Sequence, residues 1–149
     1  MIDNFMGLNR WLSNFSEVDV VLDGETYGSV EHAYQAAKTD DAEVRRAIRE
    51  CRTPGEAKKL GHGLRCSRAK KLRIMFPLLQ QKFAQEPYRS KLAMTAGREL
   101  VEGNWWGDEF FGVCKGVGEN WLGRMIMAIR DGKPIDLHPA GEPEQERLF

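Results

Sequence analysis

The sequence predicts an α+β fold, a single compact domain with a majority of helix around a small, mostly antiparallel sheet. Three observations carry this. The 149 residues, 42% hydrophobic and 30% charged, suit one domain with one sizeable core. Near the N-terminus, "VDVVLDGETYG" alternates apolar and polar residues around an Asp23-Gly24 turn, the pattern of a β-hairpin. Most of the remainder repeats its apolar residues at helical spacing between recognisable caps.

Val18, Val20 and Leu22 share one side of the first strand, and "ETYG" returns after the turn. "YGSVEHAYQAAK", Tyr27 to Lys38, opens a helix at about Val30 with Ser29 as its N-cap. "DDAEVRRAIREC" gives a second helix, capped by Asp40 or Asp41, with Val44 and Ile48 facing inward. The third is short and well marked. Thr53 caps it, Pro54 takes the first helical position, Glu56 closes a capping box and Gly61 ends it. Behind Ser67, the residues Leu72, Met75, Phe76, Leu79 and Phe83 recur at helical spacing. Pro77 is expected to kink or split that helix, because it removes one backbone donor.

"YRSKLAMTA" reads as another short helix ending before Gly97, and "RELVEG" and "EFFGVC" read as strands. A last helix begins near Glu119, turns Leu122, Met125, Ile126 and Ile129 to the core, and stops at Gly132. The domain is therefore expected over residues 1–132. A Pro-containing tail follows over 133–149, carrying Pro134, Pro139 and Pro143 and docked through Ile135 and Leu137.

Composition excludes several classes. Twenty-two Lys and Arg cancel twenty-two Asp and Glu, which argues against a large non-specific grip on nucleic acid. Cys51, Cys66 and Cys114 form no C-x-x-C pair, and His32, His62 and His138 show no ligand spacing. Neither a metal site nor a disulfide framework is indicated. "MIDNFMGLNR" lacks the apolar stretch of a signal peptide, and no run approaches a membrane span. A cytoplasmic protein is the expectation.

Four stretches have the composition for chemistry. At ~100° per residue, Glu31, Tyr34, Gln35 and Lys38 share one helix face, and Ala33 and Ala37 lie on another. The first face is either a solvated surface or one wall of a pocket. In a pocket, Lys38 would lose its proton and become a nucleophile, and Glu31 would shuttle protons. "EGNWWGDEFFG" sets Trp105 and Trp106 beside Gly107 and Asp108, with Phe110 and Phe111 after them. Either the indoles cap core and loop, or they form a stacking wall for a planar ring with Asp108 beside it. Gly116 and Gly118 precede a helix, as a plain turn or a phosphate cradle. Lys58, Lys59, Arg65, Arg68, Lys70, Lys71 and Arg73 run without an acidic residue, as a solvated face or a phosphate contact.

"NRWLSNF", "YGSVEHAYQAAK", "TPGEAKKLG", "LLQQKFAQEP", "WGDEFFG" and "GENWLGRMIMAIR", in this order, resemble the NADAR family, also called YbiA-like. The likeness covers the chain to about Arg130. It implies an enzyme that cleaves N-glycosidic bonds. Its substrate would be ADP-ribosylated guanine, in DNA, RNA or a nucleotide, or else ribosylamino-pyrimidine phosphates of riboflavin synthesis. The resemblance assigns Glu31, Lys38 and Asp108 to catalysis. It assigns Arg10, Asn14 and Asn120 to holding phosphate or ribose, beside Tyr34, Gln35, Trp105, Trp106, Gly107 and Phe111 as substrate contacts. Two departures stand out: Ser16 where the family often has an aromatic, and Phe111 where it commonly has Trp. No metal or organic cofactor is required by such chemistry.

On this reading Lys38 attacks the ribose C1′ and leaves a Schiff base that water hydrolyses, while Glu31 moves protons and Asp108 serves ribose or base. In a competing route, Glu31 or Asp108 activates water directly. The rival class is a non-catalytic module that binds ADP-ribose or nucleic acid. The acid–amine pair argues against it, since a pure binder has no need of one.

Overall fold

The computed structural model describes residues 1–141. It shows the α+β class, with strands in two separate pairs. Strands β1 (Val20–Leu22) and β2 (Glu25–Tyr27) are antiparallel. Strands β3 (Gly103–Asn104) and β4 (Val113–Cys114) are parallel. The chain divides into two compact units. The first is Asn14–Lys82 with the described residues 136–141; the second is Met1–Ser13 with Phe83–Ile135.

In the first unit, Val20 pairs with Tyr27 and Leu22 with Glu25. Asp23 and Gly24 both take left-handed backbone, φ 49° and 82°, the turn that matches strand twist. Helix α1 (Val30–Ala37) begins where Ser29 accepts from the His32 N–H. Helix α2 (Ala42–Arg49) is capped by Asp41, which accepts from Glu43 and Val44. Helix α3 (Pro54–Gly61) is capped by Thr53. Its Glu56 carboxylate accepts from the Arg52 N–H at 3.1 Å, so the reciprocal bond falls one residue ahead of the expected box. Helix α4 (Arg68–Phe83) runs unbroken through Pro77. Pro77 is exposed, so water can serve the carbonyl left without a donor.

α1 packs against α2, α3 and β1. The fully buried core includes Val30, Ala33, Ile48, Leu72 and Leu79. Of the two alanines grouped on the other face of α1, Ala33 is buried and Ala37 half-exposed; Ala36 is also buried. In the tail, Ile135 and Leu137 are half-buried, and the Arg68 guanidinium donates to the Ala140 carbonyl at 3.0 Å. The remainder of the tail, with Pro143, lies outside the described residues.

In the second unit, Gly7–Leu12 forms a 3-10 helix. "RELVEG" supplies a single parallel bridge from Leu100 to Ile2 rather than a full strand. The ladder instead joins Gly103–Asn104 to Val113–Cys114. A Cβ at Gly112 would overlap Glu102, so the two segments close up only because that residue is glycine. Helix α5 (Tyr88–Ala93) follows the Phe83 ring, which meets Tyr88 edge-on at 6.2 Å. Helix α6 (Trp121–Asp131) ends on Gly132 at φ 63°. Gly123, inside α6, lies against the Leu100 carbonyl and Asn120.

That contact reverses an ordinary expectation. In an exposed helix interior, Gly→Ala stabilises by about 1 kcal/mol. Here Gly123→Ala should destabilise by about 1–3 kcal/mol, because the new methyl meets backbone that must shift. Urea unfolding of the purified variant measures the sign.

Candidate active site

The expected catalytic groups of the first unit, Glu31 and Lys38, stand on α1 and at its C-cap, and the two ends of α1 are fastened. At its start, the Glu31 N–H donates to the Asn14 carbonyl at 3.1 Å. The Nε2 of His32 donates to the Cys51 carbonyl at 3.0 Å, and Nδ1 accepts from the Ser29 hydroxyl at 2.6 Å. Both ring nitrogens are thus engaged, and His32 clamps α1 to the α2–α3 connection. At the other end, Arg45 Nε donates to the Ala36 and Thr39 carbonyls, satisfying acceptors that a helix terminus leaves open. Neither clamp has a local sequence signal.

The Glu31–Lys38 face is not a solvated one. Glu31 is 7% exposed, and Tyr34 and Gln35 are buried. Gln35 Nε2 donates to Glu31 Oε1 at 2.8 Å. A Cβ at Gly61 would overlap the Gln35 side chain, so α3 closes over Gln35 and holds it on the carboxylate. Gln35 therefore positions Glu31 rather than standing open to a substrate. Asn14 is also buried; its amide nitrogen meets Met75 Sδ at 3.4 Å, while its Oδ1 is a buried acceptor without a partner among the described residues.

Lys38 is half-buried at the end of α1, with Nζ 5.0 Å from the Tyr34 ring centroid. Burial pushes its pKa below the ordinary lysine value. Glu31 opposes this, Lys71 adds to it, Cys66 opposes it and Lys58 adds to it. Two members of the basic run, Lys58 and Lys71, thus act on Lys38 electrostatically, while Lys58, Lys59, Arg65 and Lys70 lie exposed. Lys58 Nζ also stands 6.0 Å from the Phe15 ring. The Cys66 thiol is pushed up by burial, against the pull of Lys70, Lys38, Lys71 and Arg73.

In the second unit, Asn104 brackets the aromatic loop. Its Oδ1 accepts from the Asp108 N–H at 3.0 Å, and its Nδ2 donates to the Asp108 carbonyl at 2.8 Å. Gly107 turns at φ 89°, which only glycine adopts without strain. The bracket displays Trp105 at 72% exposure and Trp106 at 47%, edge-to-face at 5.0 Å. Asp108 Oδ1 accepts from Phe110 and Phe111 N–H at 3.1 and 3.0 Å. Phe111 is half-buried and meets Phe110 edge-on at 4.9 Å.

Two further expectations meet a structural explanation. Asn120 Oδ1 accepts from the Glu102 N–H at 2.9 Å, and Nδ2 donates to the Leu100 carbonyl at 3.0 Å. Its amide is spent on backbone, so Asn120 is a strut of the second unit. The glycines before α6 make a turn: Cys114 and Val117 exchange backbone bonds around Lys115 and Gly116. The first N–H groups of α6, from Trp121 and Leu122, donate to Phe110 and Phe111 carbonyls, which leaves no phosphate cradle there. Arg10 is exposed on the 3-10 helix. A groove of about 490 Å³ in the first unit is lined by Glu17, Asp19, His32, Arg49 and Arg52 among others; it holds none of the expected catalytic residues. Among the described residues no acid, His or Cys cluster suits a metal ion, and no helix is long and apolar enough to cross a membrane.

A family model described as the NADAR domain matches residues 4–132. The chain is 33% identical over 138 residues to the N-glycosidase YbiA of Escherichia coli, across 83% of this chain and 81% of that one. It is 29% identical to the chloroplastic riboflavin biosynthesis protein PYRR of Zea mays, across 79% of this chain and 22% of that protein. The NMR structure of E. coli YbiA superimposes with a TM-score of 0.74 at 29% identity, covering 89% of this chain and 86% of that one.

The Lys38 environment predicts a titration. Its amine should deprotonate below the ~10.4 of a free lysine. Lys71→Met and Lys58→Met should raise that midpoint by removing like charge, whereas Glu31→Gln should lower it by removing the counter-charge. NMR titration of the Lys38 side-chain methylene beside Nζ reads all three shifts without substrate.

Proposed function

The chain belongs to the NADAR domain family, and from that premise we propose that it is an N-glycoside hydrolase that breaks a ribose C1′–N bond. The observation that carries the reading is the buried Glu31 carboxylate on one helix with a half-buried Lys38 amine whose pKa is held down. An amine with a lowered pKa on the same helix as a fixed acid suits an attack on C1′. The similarity to an N-glycosidase and to a riboflavin biosynthesis protein supports the same reaction class.

In this mechanism Lys38 Nζ bonds to C1′ as the C1′–N bond breaks, and the departing base takes a proton. The ribose ring oxygen then leaves C1′ with a proton passed through Glu31, giving an imine on Lys38. Water adds to the imine carbon, and the amine is released with the open-chain sugar. Asp108, whose Oδ1 is committed to its own turn, acts on ribose or base through Oδ2. In the second unit, the exposed Trp105 and Trp106, together with Phe111, offer rings for stacking on a base. Within the first unit Lys58 and Lys71 meet phosphate, and Asn14 Oδ1 accepts from a sugar hydroxyl.

The preferred substrate is guanine carrying ADP-ribose, whose two phosphates suit the cations around Lys38. The second reading, ribosylamino-pyrimidine phosphate, is favoured by the similarity to the Zea mays riboflavin protein. Offering both substrates to purified protein and measuring base release decides between them. Release from ADP-ribosylated guanine with little from the pyrimidine is the expected result; the reverse selects the second reading, and release from neither rejects the hydrolase. Lys38→Arg and Glu31→Gln should each lower kcat by about 100-fold or more. Asp108→Asn should lower kcat with the fold intact.

A further inference from the structure

Lys82, near the end of α4, has no solvent exposure at all. A lysine amine is rarely so placed unless fixed partners hold it. Its Nζ donates to Ser16 Oγ at 2.8 Å, and Ser16 is itself buried. Seven residues earlier on α4, and so on the same face, Met75 Sδ accepts from Asn14 Nδ2 at 3.4 Å. α4 therefore grips the Asn14–Ser16 segment at two points, two turns apart. That segment has one further bond that bears on the site. The Asn14 carbonyl accepts the Glu31 N–H at 3.1 Å, one of the donors that the start of α1 cannot satisfy internally.

We propose that Lys82 is a positioning residue for Glu31: through Ser16 it fixes the Asn14 carbonyl that orients the first turn of α1. No atom of Lys82 meets substrate in this account, and none needs to. The link runs from the Lys82 amine to the Ser16 hydroxyl, along two residues of backbone, to the Glu31 N–H, all within one unit. Glu31 must keep its carboxylate aimed while it exchanges protons, and a slack first turn would cost rate rather than binding. The catalytic part of this inference rests on the hydrolase reading above.

The test is a double-mutant cycle of Ser16→Ala and Lys82→Met with two readouts. The first is amide hydrogen exchange at Glu31. Each single variant should speed it by about tenfold, with exchange at Leu72 and Leu79 unchanged. The second is base release from the substrate wild-type protein accepts. Each single variant should lower kcat by about tenfold with KM within about twofold, and the double variant should be no worse than the poorer single. Unchanged exchange at Glu31 in Ser16→Ala, or effects that add in the double variant, would overturn the proposal. Should Lys82→Met fail to fold, Ser16→Ala decides it. If wild-type protein releases no base from any substrate, the hydrolase reading fails while the exchange readout still decides the role of Lys82.

Discussion

The arrangement depends on burying one carboxylate. Glu31 lies in the first turn of α1 with almost no exposure, and a buried charge is costly unless it is hydrogen-bonded and paired. Two features offset that cost. Gln35 donates to its oxygen, and the helix N-terminus favours negative charge there; the Asn14 carbonyl separately fixes the Glu31 backbone N–H. Gln35 reaches the carboxylate only because Gly61 leaves α3 without a side chain at the contact. Helix packing and the chemistry of the site are therefore one constraint, carried by a glycine on one helix and an amide on the next.

Lys38 follows from the same constraint. It closes α1, where Arg45 takes up two terminal carbonyls, so its backbone is held while its amine is half withdrawn from water. Burial, foremost, holds the amine's pKa down; Glu31 and Cys66 oppose it, and Lys71 and Lys58 add to it. The second unit contributes rigidity of another sort. Asn104 closes the loop so that two indoles stay exposed, although exposing them forgoes burial that a core would reward. A display maintained at that cost suits a ring-binding surface.

Much of this was legible in the sequence, and the legible part is local. Ser29, Asp41, Thr53 and Gly132 sit where their cap signals put them, because a cap is decided within four residues. The Asp23-Gly24 turn fell likewise. The strand pairing of the second unit did not, since it depends on Gly112 meeting Glu102 from ten residues away. Pro77 was expected to kink or split α4, and the helix is not split there, Pro77 being exposed. At the site, spacing grouped Glu31, Gln35 and Lys38 on one face but left open whether that face met water. His32 read as uninformative and proves to be a clamp with both nitrogens used. Arg45, Asn104 and Lys82 act through partners that no local pattern marks. The amide of Asn120 is taken by backbone twenty residues upstream, a long-range match invisible in "GENWLG".

The central claim is that the Lys38 amine itself bonds to the sugar. Borohydride reduction during turnover, followed by mass spectrometry of the digested protein, tests it most directly. The account predicts a ribosyl adduct on the peptide carrying Lys38, formed only when substrate and reductant are present together. Brisk base release with no adduct on any lysine would contradict it and assign the attack on C1′ to water.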